Sequence, residues 1–227
     1  MHKFKKIIPI LVIGLFVSFS LSGCFRNDEL VTNSQSLKDG INEIDIDVDS
    51  ANVLIEQGEE ALITYSFPKN VNVDYSYENG KVTLKGKNGV SLFSSGGNSE
   101  VKITIPKDKQ LSVITTKSDS GNISINNITS EQINCELDSG NFTMNNNNAK
   151  KLVAKVDSGN ITEDGDIESI EANADSGNVN LAGNVYIVKA ETDSGDININ
   201  SKKSQTEMRL NLDTDFGKIT INGKSIN

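Results

Sequence analysis

The sequence predicts an all-β chain wound as a β-solenoid, one strand coiling through rungs of 18–19 residues. Three observations predict it. Short runs of alternating apolar and polar residues fill the chain from about residue 41, among them "EIDIDVD", "VKITIP", "NISIN", "NVNLAG" and "DININ". That period of two marks half-buried strands. The tetrapeptide Asp-Ser-Gly-Asn begins at Asp119, Asp138, Asp157 and Asp175, with Asp-Ser-Gly-Asp at Asp193 and Asp-Phe-Gly-Lys at Asp215. The glycines of these turns, Gly121, Gly140, Gly159, Gly177, Gly195 and Gly217, are 19, 19, 18, 18 and 22 residues apart. Periods near 20 residues mean stacked repeats.

The third observation is that the flanks of each turn keep one frame. Five, three and one residues before the Asp stand Ile133, Cys135 and Leu137, then Leu152, Ala154 and Val156, then Ile170, Ala172 and Ala174, then Val188, Ala190 and Thr192. Four and six residues after it stand Ile123 and Ile125, Phe142 and Met144, Ile161 and Glu163, Val179 and Leu181, Ile197 and Ile199, and Ile219 and Ile221. Each rung thus has one strand before the turn and one after it, facing a common interior. No rung buries its apolar row alone, so the rungs must stack, about 4.8 Å apart. A propeller blade needs roughly 40 residues and is excluded. A β-sandwich of similar turn spacing is the alternative, but equal offsets demand equivalent environments and favour the solenoid.

Taken in order, residues 1–23 read as a lipoprotein signal peptide. Lys3, Lys5 and Lys6 precede the apolar run Ile7 to Phe19, and Leu21-Ser22-Gly23-Cys24 resembles a bacterial lipobox. The run is too short to span a bilayer, which takes roughly 20 residues. The lipobox implies diacylglycerol on Cys24, and two acyl chains suffice for stable anchoring. Residues 24–40 are polar and aperiodic, a tether. Residues 41–227 form the solenoid domain. Its first rung centres on Asp49, with Ile44, Ile46 and Val48 before and Val53 and Ile55 after. Residues 56–110 are less regular: a hairpin turning at Asn79-Gly80, a flexible loop "SLFSSGGNSE", and irregular rungs or an accessory sheet. Between Lys107 and Lys117 two inward sets compete, Leu111 with Val113 or Ile114 with Thr116. In the last rung, after the insert "NSKKSQTEM", Leu210, Leu212 and Thr214 precede Asp215, and Phe216 is placed to cover the open end of the core.

Composition removes several functions. The chain carries 22 basic and 31 acidic side chains; without Lys3, Lys5 and Lys6 the mature chain keeps 19 basic ones, net −12. Such a protein is a poor partner for nucleic acid. The one histidine, His2, lies in the leader, and the mature chain has no Trp and only Arg26 and Arg209 as arginines. Histidine acid–base chemistry, histidine metal sites and Ser-His-Asp triads are thereby excluded. With Cys24 acylated, Cys135 has no partner for a disulfide.

Three readings of the repeated turn compete. In the structural one, glycine supplies a backbone other residues resist, Asp and Ser cap backbone N–H groups, and stacked Asn residues form an amide ladder. In the metal reading, the column Asp119, Asp138, Asp157, Asp175, Asp193 and Asp215 binds Ca²⁺ to relieve like-charge repulsion; the Ca²⁺-binding nonapeptide pattern of other solenoids is absent. In the catalytic reading Ser is a nucleophile, but no base accompanies it. The structural reading is preferred, with no metal and no cofactor. Glu163 departs from the frame: either its rung shifts or the position is exposed.

A lipobox followed by rungs of Ile-x-Ile-x-x-Asp-Ser-Gly-Asn-Ile-x-Ile from about Ile41 to Asn227 resembles the bacterial β-strand-repeat "putative adhesin" domain of unknown function, in lipoprotein form. Relatives include a protein encoded with a cell-envelope stress-response operon in Firmicutes. The resemblance implies a β-solenoid at the envelope and supplies no catalytic residue. The expectation is a non-enzymatic lipoprotein on the extracytoplasmic face of a Gram-positive cell membrane, binding an envelope polymer or protein. The alternative is a carbohydrate-active enzyme acting on wall glycans, with a groove of non-repeating acids and bases near Tyr65 to Lys87.

Overall fold

Alternation becomes strand throughout the computed structural model, which describes residues 29–37, 40–88 and 99–226. The leader, Cys24 and all of the loop "SLFSSGGNSE" except Ser99 and Glu100 lie outside them. The strands are β1 (Leu30–Ser36), β2 (Glu43–Ser50), β3 (Asn52–Gly58), β4 (Leu62–Pro68), β5 (Val71–Glu78), β6 (Lys81–Asn88), β7 (Glu100–Pro106), β8 (Gln110–Ser120) and β9 (Ile123–Asn126). They continue as β10 (Thr129–Ser139), β11 (Phe142–Ser158), β12 (Ile161–Ser176), β13 (Val179–Ser194), β14 (Ile197–Ser201), β15 (Arg209–Phe216), β16 (Ile219–Ile221) and β17 (Lys224–Ser225). One 3-10 turn, Gln205–Glu207, precedes β15. All seventeen strands belong to one curled sheet, a β-solenoid.

Rungs stack in parallel and in register. Ile133, Cys135 and Leu137 of β10 lie on Leu152, Ala154 and Val156 of β11, and these lie on Ile170, Ala172 and Ala174 of β12. Beyond the turn, Ile161 and Glu163 of β12 pair with Val179 and Leu181 of β13. The five recurring offsets therefore form five inward columns, and their side chains are buried in one continuous core in the middle rungs. The solenoid has a face before the turns and a face after them. In β11, β12 and β13 the chain bends from one rung's second face to the next rung's first face without leaving the strand.

The spatial order differs from the chain order at the N-terminal end. β2 pairs in parallel with both β6 and β8, and β3 with both β7 and β9. The first rung in sequence is thus the second in space, laid between an irregular rung, β6 and β7, and the regular array. The hairpin at Asn79-Gly80 forms as expected: both residues have positive φ, 51° and 79°, and β5 pairs antiparallel with β6. β4 pairs antiparallel with β7. Their inward residues close that end of the core. Tyr65 is buried, its ring 5.7 Å from that of Tyr75.

Two expectations need correction here. The tether is not structureless throughout, because Leu30–Ser36 is a strand, antiparallel to β4. Its polar side chains suit an exposed edge: Thr32 pairs with Ser66 and Ser34 with Thr64, both through hydroxyls 3.0 Å apart. Phe216 does not cover the core. It is 78% exposed, because its position lies beyond the inward row. The register between Lys107 and Lys117 resolves to Ile114 and Thr116, stacked on Ile133 and Cys135. Leu111 is buried as well, against Ser130, while Val113 is half-buried. Among the described residues no helix is long and apolar enough to cross a membrane.

Candidate functional site

The repeated turns come together at one edge of the solenoid, one directly over the next. The glycine requirement there is mainly one of space. A Cβ on Gly140 would lie 2.0 Å from the carbonyl oxygen of Gly121, and one on Gly159 1.7 Å from that of Gly140. The same holds for Gly177, Gly195 and Gly217, each against the glycine before it. Gly121 faces the carbonyl of Ala51 at 2.2 Å. Ala51 begins the column, and no glycine of the repeated turns precedes it. Gly121, Gly140, Gly159, Gly177 and Gly195 also hold positive φ, from 125° to 159°.

The fourth turn position builds a ladder. Asn52 Oδ1 accepts the backbone N–H of Asn122, and the pattern repeats through Asn141, Asn160, Asn178, Asp196 and Lys218 at 2.8–3.1 Å. Amide Nδ2 groups add a second contact, 3.0 Å from Asn160 to Asn141. The capping of N–H groups expected of Asp and Ser is carried instead by this Asn. Thr192 donates to the carbonyl of Gly177 and Thr214 to that of Gly195, both at 3.0 Å. The side chains of Asp138, Asp157, Asp175 and Asp193 are exposed and accept no hydrogen bond among the described residues. Hydration satisfies them, and the bonds go to groups that burial would otherwise orphan. Asp119 is held above the usual carboxylate range, first by partial burial and then by Asp49 in the same column. Among the described residues no three acidic or thiol groups converge where an ion could be held.

The two faces differ in chemistry. Before the turns, many outward residues are charged, and some pair across rungs, Lys117 with Glu136 at 3.0 Å and Lys189 with Glu171 at 3.5 Å, while Lys189 also meets Glu191 of its own strand at 3.4 Å. After the turns, the two outward rows nearest the corner are amides and hydroxyls from β9 to β13. Asn122, Asn141, Asn160 and Asn178 form one column and Ser124, Thr143, Thr162 and Asn180 the next, lining a shallow trough of about 600 Å³. The hydroxyls of Ser124, Thr143 and Thr162 hold no hydrogen bond among the described residues. They stand at rung spacing, open to a ligand.

A second corner, eight residues after each Asp, escaped the sequence reading. Asn127 and Asn146 have φ of 58° and 53°, Gly165 follows in the column, and Gly183 has φ of 80°. The signal was present, since all four stand at one offset and are residue types that tolerate such backbone. Asn147 plugs this corner from inside, accepting from Ile128 N–H and donating to Ile125 carbonyl, both at 2.8 Å.

Glu163 neither shifts nor reaches solvent. It is 1% exposed, in the column between Met144 and Leu181, and its carboxyl oxygens have no partner among the described residues. Burial, then Asp164 and Asp166, push its pKa up to about 8. Gly165 leaves it room, for a Cβ there would meet Oε1 at 2.9 Å. Cys135 is likewise sealed in the core, its thiol pushed up to about 12 chiefly by burial.

Near Tyr65 to Lys87, where an enzyme's groove was expected, the charged and aromatic side chains are engaged with one another. Asp45 is paired with Lys81 at 3.0 Å, and Lys87 bridges Asp47 at 2.7 Å and Asp49 at 3.0 Å. These pairs tie β2 to its neighbour β6. Tyr65 and Tyr75 serve the core's end rather than a sugar platform.

Comparison with known proteins agrees with this architecture. The family model described as Toastrack DUF4097 matches residues 41–225. The chain is similar in fold to a crystal structure named a "putative adhesin" from Bacteroides fragilis, at 18% identity, 86% of this chain, 97% of that one and a TM-score of 0.62. It is also similar to one named a "putative cell adhesion protein" from Clostridium sporogenes, at 15% identity, 85% and 99% coverage and a TM-score of 0.50. No curated protein matches the sequence.

Proposed function

The chain belongs to the Toastrack DUF4097 family, and from that premise we propose that it is a non-enzymatic binding scaffold of the bacterial cell envelope. Cys24 carries the lipid that holds it on the extracytoplasmic face of a Gram-positive membrane, residues 1–23 being removed. The face after the turns is the binding face. The observation that carries this reading is the run of unengaged hydroxyls at constant spacing along the amide ladder, beside a face where several charges pair with one another. Each rung offers the same weak contact, and a repetitive partner engages many at once, so that affinity grows by effective concentration. Names given to structures of the same fold, which speak of adhesion, support a binding role.

A pull-down from envelope extracts tests it. Wild type should retain a polymer or protein partner that the double variant Thr143→Lys, Thr162→Lys loses while remaining folded. Retention unchanged by both lysines would overturn the assignment of the face. Turnover of peptidoglycan or teichoic acid by the purified chain, abolished by a single carboxylate substitution, would overturn the non-enzymatic reading. Cys24→Ala should release the protein or leave it unprocessed; a processed, membrane-bound variant would refute the anchor.

A further inference from the structure

The two faces of the solenoid end in four terminal strands, and three of them are closed in the same way. β5 lies antiparallel on β6, β4 antiparallel on β7, and β17 antiparallel on β16. The fourth, β15, pairs with β13 on one side only. Its other edge is open among the described residues, so a row of backbone donors and acceptors faces outward there, the usual template for another strand. The inward row of β15 is also incomplete. Leu210 and Leu212 pack on the core but remain half-exposed.

The sequence of β15 is complementary to itself when reversed. Set two copies antiparallel about a two-fold axis at Leu212. On the outward side Arg209 then stands opposite Asp215 of the second copy, and Asn211 opposite Asp213. On the inward side Leu212 meets Leu212, and Leu210 meets Thr214. Opposite charges and apolar pairs directly across an antiparallel ladder are the stabilising combinations. Arg209 is the one arginine among the described residues, and neither its side chain nor that of Asp215 has a hydrogen bond or ion pair within its own chain among them. Each remains available for a partner. A two-fold interface also needs exactly this property, that one patch complement itself.

We infer that β15 is a dimerisation strand, whose open edge pairs antiparallel with β15 of a second copy of this chain. The second copy supplies at this end what β5, β4 and β17 supply elsewhere. The dimer joins the two charged faces into one continuous sheet, so that this face is doubled in length. One strand pair buries little area, so association should depend on concentration.

Charge reversal with rescue tests the inference. The full-length chain in detergent is sedimented to equilibrium over a range of concentrations. Wild type should show a monomer–dimer equilibrium. Arg209→Glu places two acids opposite each other at both symmetric contacts, and Asp215→Arg two bases. Each should raise the dissociation constant about tenfold or more at low salt. The double variant restores both contacts and should return it to within about threefold of wild type. Both side chains are exposed, so thermal melts at concentrations where every chain is monomeric should be unchanged. A chain monomeric at every concentration would overturn the inference. So would single variants that associate as wild type does, which would point to the lipid end, or a double variant that stays dissociated.

Discussion

Glu163 offers the sharpest test of the packing. A carboxyl without partners in an apolar column must keep its proton to remain there. Its ordinary value of 4.5 describes the unfolded chain, and the folded chain titrates at about 8. Below pH 4.5 both states hold the proton and the group adds no pH dependence. Between 4.5 and about 8 only the unfolded state has released it, so stability falls by about 1.4 kcal/mol per pH unit. At pH 7 the accumulated loss is roughly 3 kcal/mol, and above about 8 it levels off near 5 kcal/mol. Glu163→Gln keeps the shape and removes the ionisation. Urea unfolding of both chains at pH 5, 6, 7 and 8 cancels every other titration. The variant should gain on the wild type steadily, by roughly 3 kcal/mol between pH 5 and 7.5. Parallel stability curves across that range would refute the buried, unpartnered carboxyl.

Further outcomes follow from the turn column and the core. Gly159→Ala should cost about 3 kcal/mol or more in thermal or denaturant unfolding, since its Cβ would lie 1.7 Å from the Gly140 carbonyl. Ala51→Gly, at the head of the same column, should cost about 1 kcal/mol or less. Asn160→Ala removes the acceptor of the Asn178 N–H and one amide contact to Asn141. It should cost about 1–2 kcal/mol and speed hydrogen exchange at Asn178. Cys135 should resist alkylation of the folded chain at pH 8 and react at once in denaturant, because its thiol is buried and pushed up to about 12.

What the sequence displayed and what it concealed divide along physical lines. Alternation and the five offsets are local, and they identified the inward columns from Ile123 to Ile221. The Asn ladder was legible too, since identical residues at one offset must stack. The place of β2 between β6 and β8 was not legible. Parallel neighbours are chosen by contacts far apart in sequence, and Ile44, Ile46 and Val48 would satisfy any inward column. β1 was concealed because an exposed edge strand needs no apolar alternation, only hydroxyls at the right separation. The role of Asp and Ser in the turn was misjudged for a related reason: composition shows which groups can cap, and packing decides which ones do. The hydroxyl trough was implicit in Ser124, Thr143 and Thr162, polar residues between inward ones, but only the folded chain shows them left without partners.

The account stands on equivalent rungs acting together. Residues 157–192 span two repeats, and their removal joins Val156 to the Asp-Ser-Gly-Asp corner at Asp193 without disturbing the frame. The direct measurement is the binding isotherm of this shortened chain on purified envelope, beside that of the full chain. The account predicts a folded, shorter solenoid whose dissociation constant rises at least tenfold, because contacts along the face are lost together. A shortened chain that folds and binds as tightly as the full one would contradict it.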